Sequence, residues 1–246
     1  MKKALTYAVS AVFWLLVWQG IHLWIGKDIL IPSPLSVLQK LFEFFGEWEF
    51  WLSVGTSLFR IISGLLLGTV LGILIAVLTA KSSFIKTLFS PVLHIIKATP
   101  VASFIILAIL WLKVENVPIF TSMLIVLPAV WANVEKGILS VDPMLMQMGK
   151  AFCLSRKELF FRITVPSVKP FFIAAMNSAV GMAWKAGIAA EVICPYRDSI
   201  GSALHDSKIY FETVDTFAWT VTVILLSVVF EKLILALSAK GGRKNA

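Results

Sequence analysis

Residues Val54 to Ala80 read VGTSLFRIISGLLLGTVLGILIAVLTA, a run in which Arg60 is the one charged side chain. A helix rises about 1.5 Å per residue and the hydrocarbon layer of a bilayer is roughly 30 Å thick, so about 20 mostly apolar residues are enough to cross it. This run crosses with residues to spare. Gly64, Gly68, Gly72, Ala76 and Ala80 recur at every fourth position, which lines one helix face with small side chains. Such a ridge lets helix backbones approach closely in lipid, where packing replaces the hydrophobic drive. The rest of the chain is of the same kind. Of its 246 residues 59% are hydrophobic and 15% charged, with a mean hydropathy of +0.89, against about 45–50% apolar and about 25% charged in a soluble domain. That surplus of apolar surface excludes a water-soluble fold.

Comparable runs place further spans at Ala4–Ile25, Pro91–Leu112, Val117–Val134, Pro170–Cys194 and Thr216–Ser238. The fold class expected is therefore all-α, a polytopic membrane bundle of about six helices. It forms one transmembrane domain over 1–246, with a long loop over 135–169 inside it. The net charge of +8 is read as marking the cytoplasmic helix ends rather than a nucleic-acid surface. With both termini inside, the inner segments carry thirteen Lys and Arg and the outer loops five. Lys2 and Lys3 precede a run of spanning length without a small-residue cleavage site, so the first helix is expected to be retained. Cys153 and Cys194 fall on opposite sides of the membrane in this scheme and cannot pair. The fifth span is again rich in small residues, including Ala174, Ser178, Gly181, Gly187 and Ala190, which suits a buried helix or the wall of a pathway.

The loop from Glu135 to Lys169 is too long for a simple connection, and its pattern is that of folded structure. Asp142 followed by Pro143 is a helix start, because the carboxylate accepts from free amides and proline fits the first helical position. The helix it opens is expected to run to about Phe152. Ser155, Arg156, Lys157 and Glu158 have the spacing of a capping box, opening a second short helix that ends before Pro166. A two-helix lobe on the cytoplasmic face results.

Gln147-Met148-Gly149, three residues, Cys153, nine residues and Ile163-Thr164-Val165-Pro166 resemble the Glu-Ala-Ala loop of ABC-importer permeases. The closing half fits the family pattern; in the opening half Gln147 stands for the glutamate, Met148 and Gly149 for the alanines, and Cys153 for the turn glycine. Since glycine takes left-handed backbone angles readily and cysteine does not, a differently shaped turn is expected at Cys153. Ile31-Pro32-Ser33-Pro34, Ser57-Leu58-Phe59-Arg60, Lys97-Ala98-Thr99-Pro100 and Ala183-Trp184 with Ala189-Ala190-Glu191 add a likeness, in order and spacing, to the nitrate, sulfonate and taurine group of binding-protein-dependent permeases. The resemblance implies a type I importer fold and a pair of permease copies in a bacterial-type plasma membrane. It also implies a cytoplasmic ABC ATPase dimer gripping the loop through residues such as Ala151, Phe152 and Arg156, and an extracytoplasmic substrate-binding protein or lipoprotein. The cargo it implies is a small, anionic solute, with thiamine-precursor pyrimidines or other small metabolites as alternatives. The sequence holds no G-x-x-x-x-G-K-[ST] phosphate loop, so no cofactor is expected in this chain, ATP and Mg belonging to the ATPase.

The pathway candidates are polar groups at membrane depth. Pro100 interrupts the third span and frees a backbone carbonyl, with Lys97, Thr99 and Ser103 around it. Either this is a pathway segment or a kinked packing helix. Arg60, Lys185 and Glu191 are charged groups inside spans, where charge is costly. Glu191 neutralises one cation and leaves the other for an anion, or the set is an internal ion pair plus a snorkelling residue. His22, His94 and His205 have no metal-ligand spacing, and no catalytic set is apparent. A gradient-driven carrier or channel is the rival reading, and the folded loop argues against it.

Overall fold

The computed structural model describes residues 2–243, with the side chains of 5–7 and 9–234. Among the described residues the secondary structure is helical throughout. Three helices form the centre: α3 (Trp48–Lys81), α6 (Val117–Leu139) and α9 (Val165–Ile193). Their contact is made by the small residues of α3. A Cβ built at Gly68 would lie 2.6 Å from the Met123 carbonyl oxygen, and one at Gly72 would lie 2.9 Å from Val130 Cβ. The ridge therefore meets the backbone of α6, and any side chain there would push the helices apart. Ser122 of α6 donates to the Ala183 carbonyl of α9 at 3.1 Å, and Gly187 admits Ile61 and Ser122 against α9. Trp131 Nε1 donates to Thr79 Oγ1 at 3.0 Å, which satisfies a buried indole inside the apolar layer.

The other elements wrap this core. At one end lie α2 (Pro34–Gly46) and α10 (Ile200–Ile209), short helices absent from the expected spans. Ser33 caps α2 by accepting from the Ser36 amide at 3.0 Å, with Pro34 at the first helical position. Ser199 caps α10 in a reciprocal pair with Ser202. α11 (Thr213–Arg243) is pinned at this end by Trp219, which packs on Phe44 and Phe50 with ring centroids 4.9 and 5.2 Å away, and by Asp215 paired to Lys40 at 3.5 Å. α1 (Lys2–Ile25) is peripheral; Trp18 donates to the Pro32 carbonyl at 3.1 Å and packs on Phe217. Lys244, counted among the basic residues above, lies outside the described residues.

Three spans differ in extent from expectation. The break expected at Pro100 is present, and the first half of the third span begins at Ser83 rather than Pro91. α4 (Ser83–Ala98) and α5 (Val101–Trp111) meet at 108° across Thr99 and Pro100. The residue before a proline is driven out of the helical region, and Thr99 accordingly sits at φ −83°, ψ 132°. Among the described residues five helices are thus long and apolar enough to cross a membrane, six if the bent pair counts as one span. The fourth span continues to Leu139, so Glu135 belongs to it and pairs with Lys86 of α4 at 3.4 Å. Finally, the fifth span starts at Val165 rather than Pro170, and nothing separates it from the helix before it.

Candidate functional site: a buried ion pair and an exposed lobe

Clusters of the candidate residues lie at the two ends of the central helices, while Lys185 and the residues of the α4–α5 break stand apart from both.

At the α2 and α10 end, Arg60 of α3 and Glu191 of α9 meet at 3.4 Å with both side chains buried. The glutamate is fully engaged. Oε2 accepts from Ser57 Oγ at 2.6 Å and from the Gly201 amide at 3.2 Å, and Ser57 Oγ accepts in turn from the Ile200 amide at 3.0 Å. Of the free amides at the start of α10, that of Gly201 thus points at the carboxylate directly and that of Ile200 reaches it through Ser57, and the partial positive charge of a helix start favours the negative charge there. Gly201 permits this approach, since a Cβ there would meet the Glu191 side chain and backbone. Tyr196 covers the guanidinium, with Arg60 Cζ 5.1 Å from the ring centroid. A pair so buried and so completely hydrogen-bonded ties three helices together; it leaves no lone charge for a solute. Ser57, Tyr196 and Gly201 carry no charge that marks them in the sequence as part of this site. The available signal is the three-residue spacing of Ser57 and Arg60, which puts both on one helix face.

Lys185 is not part of that cluster. It precedes Glu191 by six residues, which turns it to another face of α9 at about 100° per residue, and there it is exposed. No salt bridge to it occurs among the described residues. Asn177 and Ser178 are exposed on the same helix. Its neighbour Trp184 faces inward, buried beside Phe230 with ring centroids 5.9 Å apart. At the α4–α5 break Lys97, Pro100 and Ser103 are exposed, and Thr99 Oγ1 donates back to the Ile95 carbonyl at 2.8 Å. The seven pathway candidates therefore divide into a buried ion pair, Arg60 with Glu191, and five residues that are exposed or, at Thr99, partly buried.

At the other end, α7 (Pro143–Ala151) and α8 (Arg156–Leu159) form the lobe. Asp142 Oδ1 accepts from the Met144 amide at 2.8 Å, as its position before Pro143 requires. Ser155 and Glu158 form the capping box, with the Ser155 amide donating to Glu158 Oε2 at 2.9 Å. The second helix does not stop before Pro166. Phe160–Thr164 is a π-helical turn that runs straight into α9. A proline ring clashes with the carbonyl four residues back; a widened turn around Arg162 accommodates Pro166 without breaking the helix.

The turn at Cys153 is also corrected. Its φ is +55°, the left-handed region. The Leu154 amide donates to the Gly149 carbonyl at 3.0 Å and the Cys153 amide to the Lys150 carbonyl at 2.9 Å. These are the two bonds of a Schellman helix end, with cysteine in the position glycine usually takes. The turn keeps the shape a glycine would give, at a backbone cost. Gly149 takes the compensating role, since a Cβ there would meet Leu159 and lie 3.0 Å from Ile163 Cδ1. That glycine lets α7 close on α8. Gln147, Met148, Ala151, Phe152 and Arg156 are exposed on the lobe surface, and no group of His, Cys, Asp or Glu suited to a metal occurs among the described residues.

A bundle of long apolar helices with a broken span, charged groups at membrane depth and a folded extramembrane lobe is the architecture of a polytopic transport subunit. A profile of the family described as binding-protein-dependent transport system inner membrane component matches residues 68–240. The chain belongs to that family and is an ABC-importer permease. It is 25% identical to a probable ABC transporter permease protein of Brucella melitensis biotype 1 over 85% of each chain. It is 27% identical to the nitrate import permease protein NrtB of Synechococcus elongatus, over 78% of this chain and 73% of the relative. The taurine transport system permease protein TauC of Escherichia coli is 23% identical over 78% and 71% respectively. The fold is similar to a crystal structure of an amino acid ABC transporter with histidines, with a TM-score of 0.61 at 16% identity, covering 77% of this chain and 94% of that one.

Proposed function

We propose that two copies of this chain form the membrane pathway of an importer driven by a cytoplasmic ABC ATPase dimer and supplied by an extracytoplasmic binding protein. ATP and Mg are held by the ATPase and hydrolysis occurs there. The observation that carries the proposal is the α7–α8 lobe. Its two helices are capped by Asp142 and by Ser155 with Glu158, its turn is closed by two hydrogen bonds at Cys153, and it is continuous with α9. A push on the lobe is therefore delivered to the helix that carries Lys185 and Glu191. The basic ends of the helices favour the side that bears the lobe as the cytoplasmic one, with both termini there. In this reading residues 1–246 are one membrane domain and 135–169 its docking loop.

The cargo proposed is a small anion of the nitrate, sulfonate or taurine kind, the substrates in the names of relatives. Arg60 is matched by Glu191, which leaves Lys185 on α9 and Lys97 at the broken span, and Lys185 is the one on the helix continuous with the lobe. Lys185 stands eight residues before the end of α9 at Ile193, about 12 Å along the axis. A charge at that depth is too costly against lipid and faces a bundle interior or a watered cavity. A second copy over the exposed face of α9 supplies one, with Lys97, Thr99, Pro100 and Ser103 of the broken span at its edge. The test is co-expression with the ATPase and binding-protein genes of the same transport system, followed by purification in lipid. Co-purification of the ATPase is expected, and its absence overturns the reading. Lys185→Ala is expected to abolish substrate-stimulated ATPase activity and uptake without loss of assembly; unchanged uptake removes Lys185 from the pathway.

A further inference from the structure

α7 has an exposed face that none of the described residues covers. Met144, Met148 and Phe152 are 73%, 57% and 73% exposed. They recur at every fourth residue, within an arc of about 80° on a helix that turns about 100° per residue. Three of the seven methionines of the chain, Met144, Met146 and Met148, lie within the nine residues of α7. The charges beside this face are of one sign. Lys150, Arg156 and Lys157 are exposed and have no salt bridge among the described residues. The nearby carboxylates are engaged: Asp142 caps α7, and Glu158 serves the capping box and pairs with Arg162 at 3.6 Å.

We propose that α7 anchors the ATPase through the two thioethers of Met144 and Met148 and the ring of Phe152, seated in an apolar groove of that subunit whose rim is acidic. The proposal rests on the reading that an ATPase grips this lobe, and it assigns the chemistry of the grip. Methionine suits such a contact because its unbranched, polarizable side chain fits irregular pockets. The anchor is pre-shaped, because the Schellman turn and the packing of Gly149 on Leu159 fix α7 before a partner arrives, which lowers the ordering cost of binding. A bilayer surface is the other environment for an apolar face beside cations, but helices that lie in it are rich in Trp, Phe and Leu, whereas two of the three residues on this face are methionines. The cations contribute steering and salt dependence more than affinity.

The test uses the full-length permease in phosphatidylcholine and phosphatidylglycerol nanodiscs, with binding of the ATPase of its own system as the readout. Met144→Gln with Met148→Gln keeps unbranched side chains of similar helix propensity and is expected to weaken binding about tenfold or more, the effect of losing central anchors. Met144→Leu with Met148→Leu keeps volume and apolarity and is expected to bind within about threefold of the parent. Hydrogen peroxide supplies an independent probe: one peroxide oxygen joins the thioether sulfur as a sulfoxide and the other leaves as water, making the anchor polar. Peroxide is expected to weaken the parent and spare the leucine variant, which separates the anchors from Cys153. Equal binding by the parent and the glutamine variant overturns the proposal while leaving the ATPase reading intact; a parent that binds no ATPase overturns that reading itself. A Phe152→Trp reporter quenched by brominated lipid, and unmoved when ATPase is added, assigns the face to the bilayer and also overturns the proposal.

Discussion

The two ends of the central helices are held by opposite means. Around Glu191, two charges are buried and every carboxylate oxygen has a partner on another helix, so α3, α9 and α10 are joined by interactions that tolerate little change. Around Gly149, the lobe is held by its own caps, one Schellman turn and a single glycine contact, and most of its surface is exposed. The difference is that between a fixed end and a handle. A carboxylate deprived of its partner at membrane depth has no water to turn to, whereas a lobe outside the bilayer can leave apolar side chains uncovered until a partner takes them.

The sharpest way to break this comparison is at Glu191. Glu191→Ala leaves Arg60 buried and unpaired, and thermal unfolding in detergent is expected to report a loss of about 3–5 kcal/mol. The double change Arg60→Met with Glu191→Leu is expected to recover most of it, because removing both charges removes the desolvation cost as well. A double variant as unstable as the single one shows that hydrogen bonds to Ser57 and Gly201, not the charge pair, hold this end. Next in size is the α3–α6 contact. Gly68→Val puts side-chain atoms where the Met123 carbonyl and Val126 stand, and overpacking of this kind is expected to cost about 1–3 kcal/mol; an unchanged midpoint separates the two helices in the membrane. The smallest effect is at the lobe. Cys153→Gly removes the strain of a side chain at φ +55°, a left-handed conformation that costs other residues about 1–2 kcal/mol. Hydrogen exchange is expected to slow at the Leu154 amide while the Gly201 amide is unaffected. Slower exchange at both ends makes them one cooperative unit and ends the comparison.

Much of this was readable from local chemistry. The ridge of Gly64, Gly68 and Gly72 announced a close helix contact, because nothing but packing explains small residues at every fourth position in an apolar run. Asp142-Pro143 and the Ser155 to Glu158 spacing announced caps that bind backbone amides two or three residues away, and both are formed. The family was legible in the order of weak motifs. The helices α2 and α10 escape a hydropathy reading, since at 13 and 10 residues each is too short to cross the bilayer and carries charged residues, and lipid crossing is the pattern such a reading detects. Intrinsic preference points away from a left-handed cysteine at 153, and the two hydrogen bonds that override it are not visible in the sequence. Pro166 ends a regular α-helix, and a π turn is how this chain escapes that rule.

By itself the sequence determined membrane insertion, the approximate spans, the asymmetry of positive charge and the caps of the lobe, all of which depend on composition or on residues within a turn of one another. Tertiary structure alone decided the fate of the three charges at membrane depth. Arg60 and Glu191 lie 131 positions apart and meet at 3.4 Å, and α10 folds back so that Gly201 completes the carboxylate's shell. Lys185, six residues from Glu191, is turned away by the pitch of the helix that carries both. Sequence separation says which residues share a helix; only the packing of α3, α9 and α10 says which charges find each other.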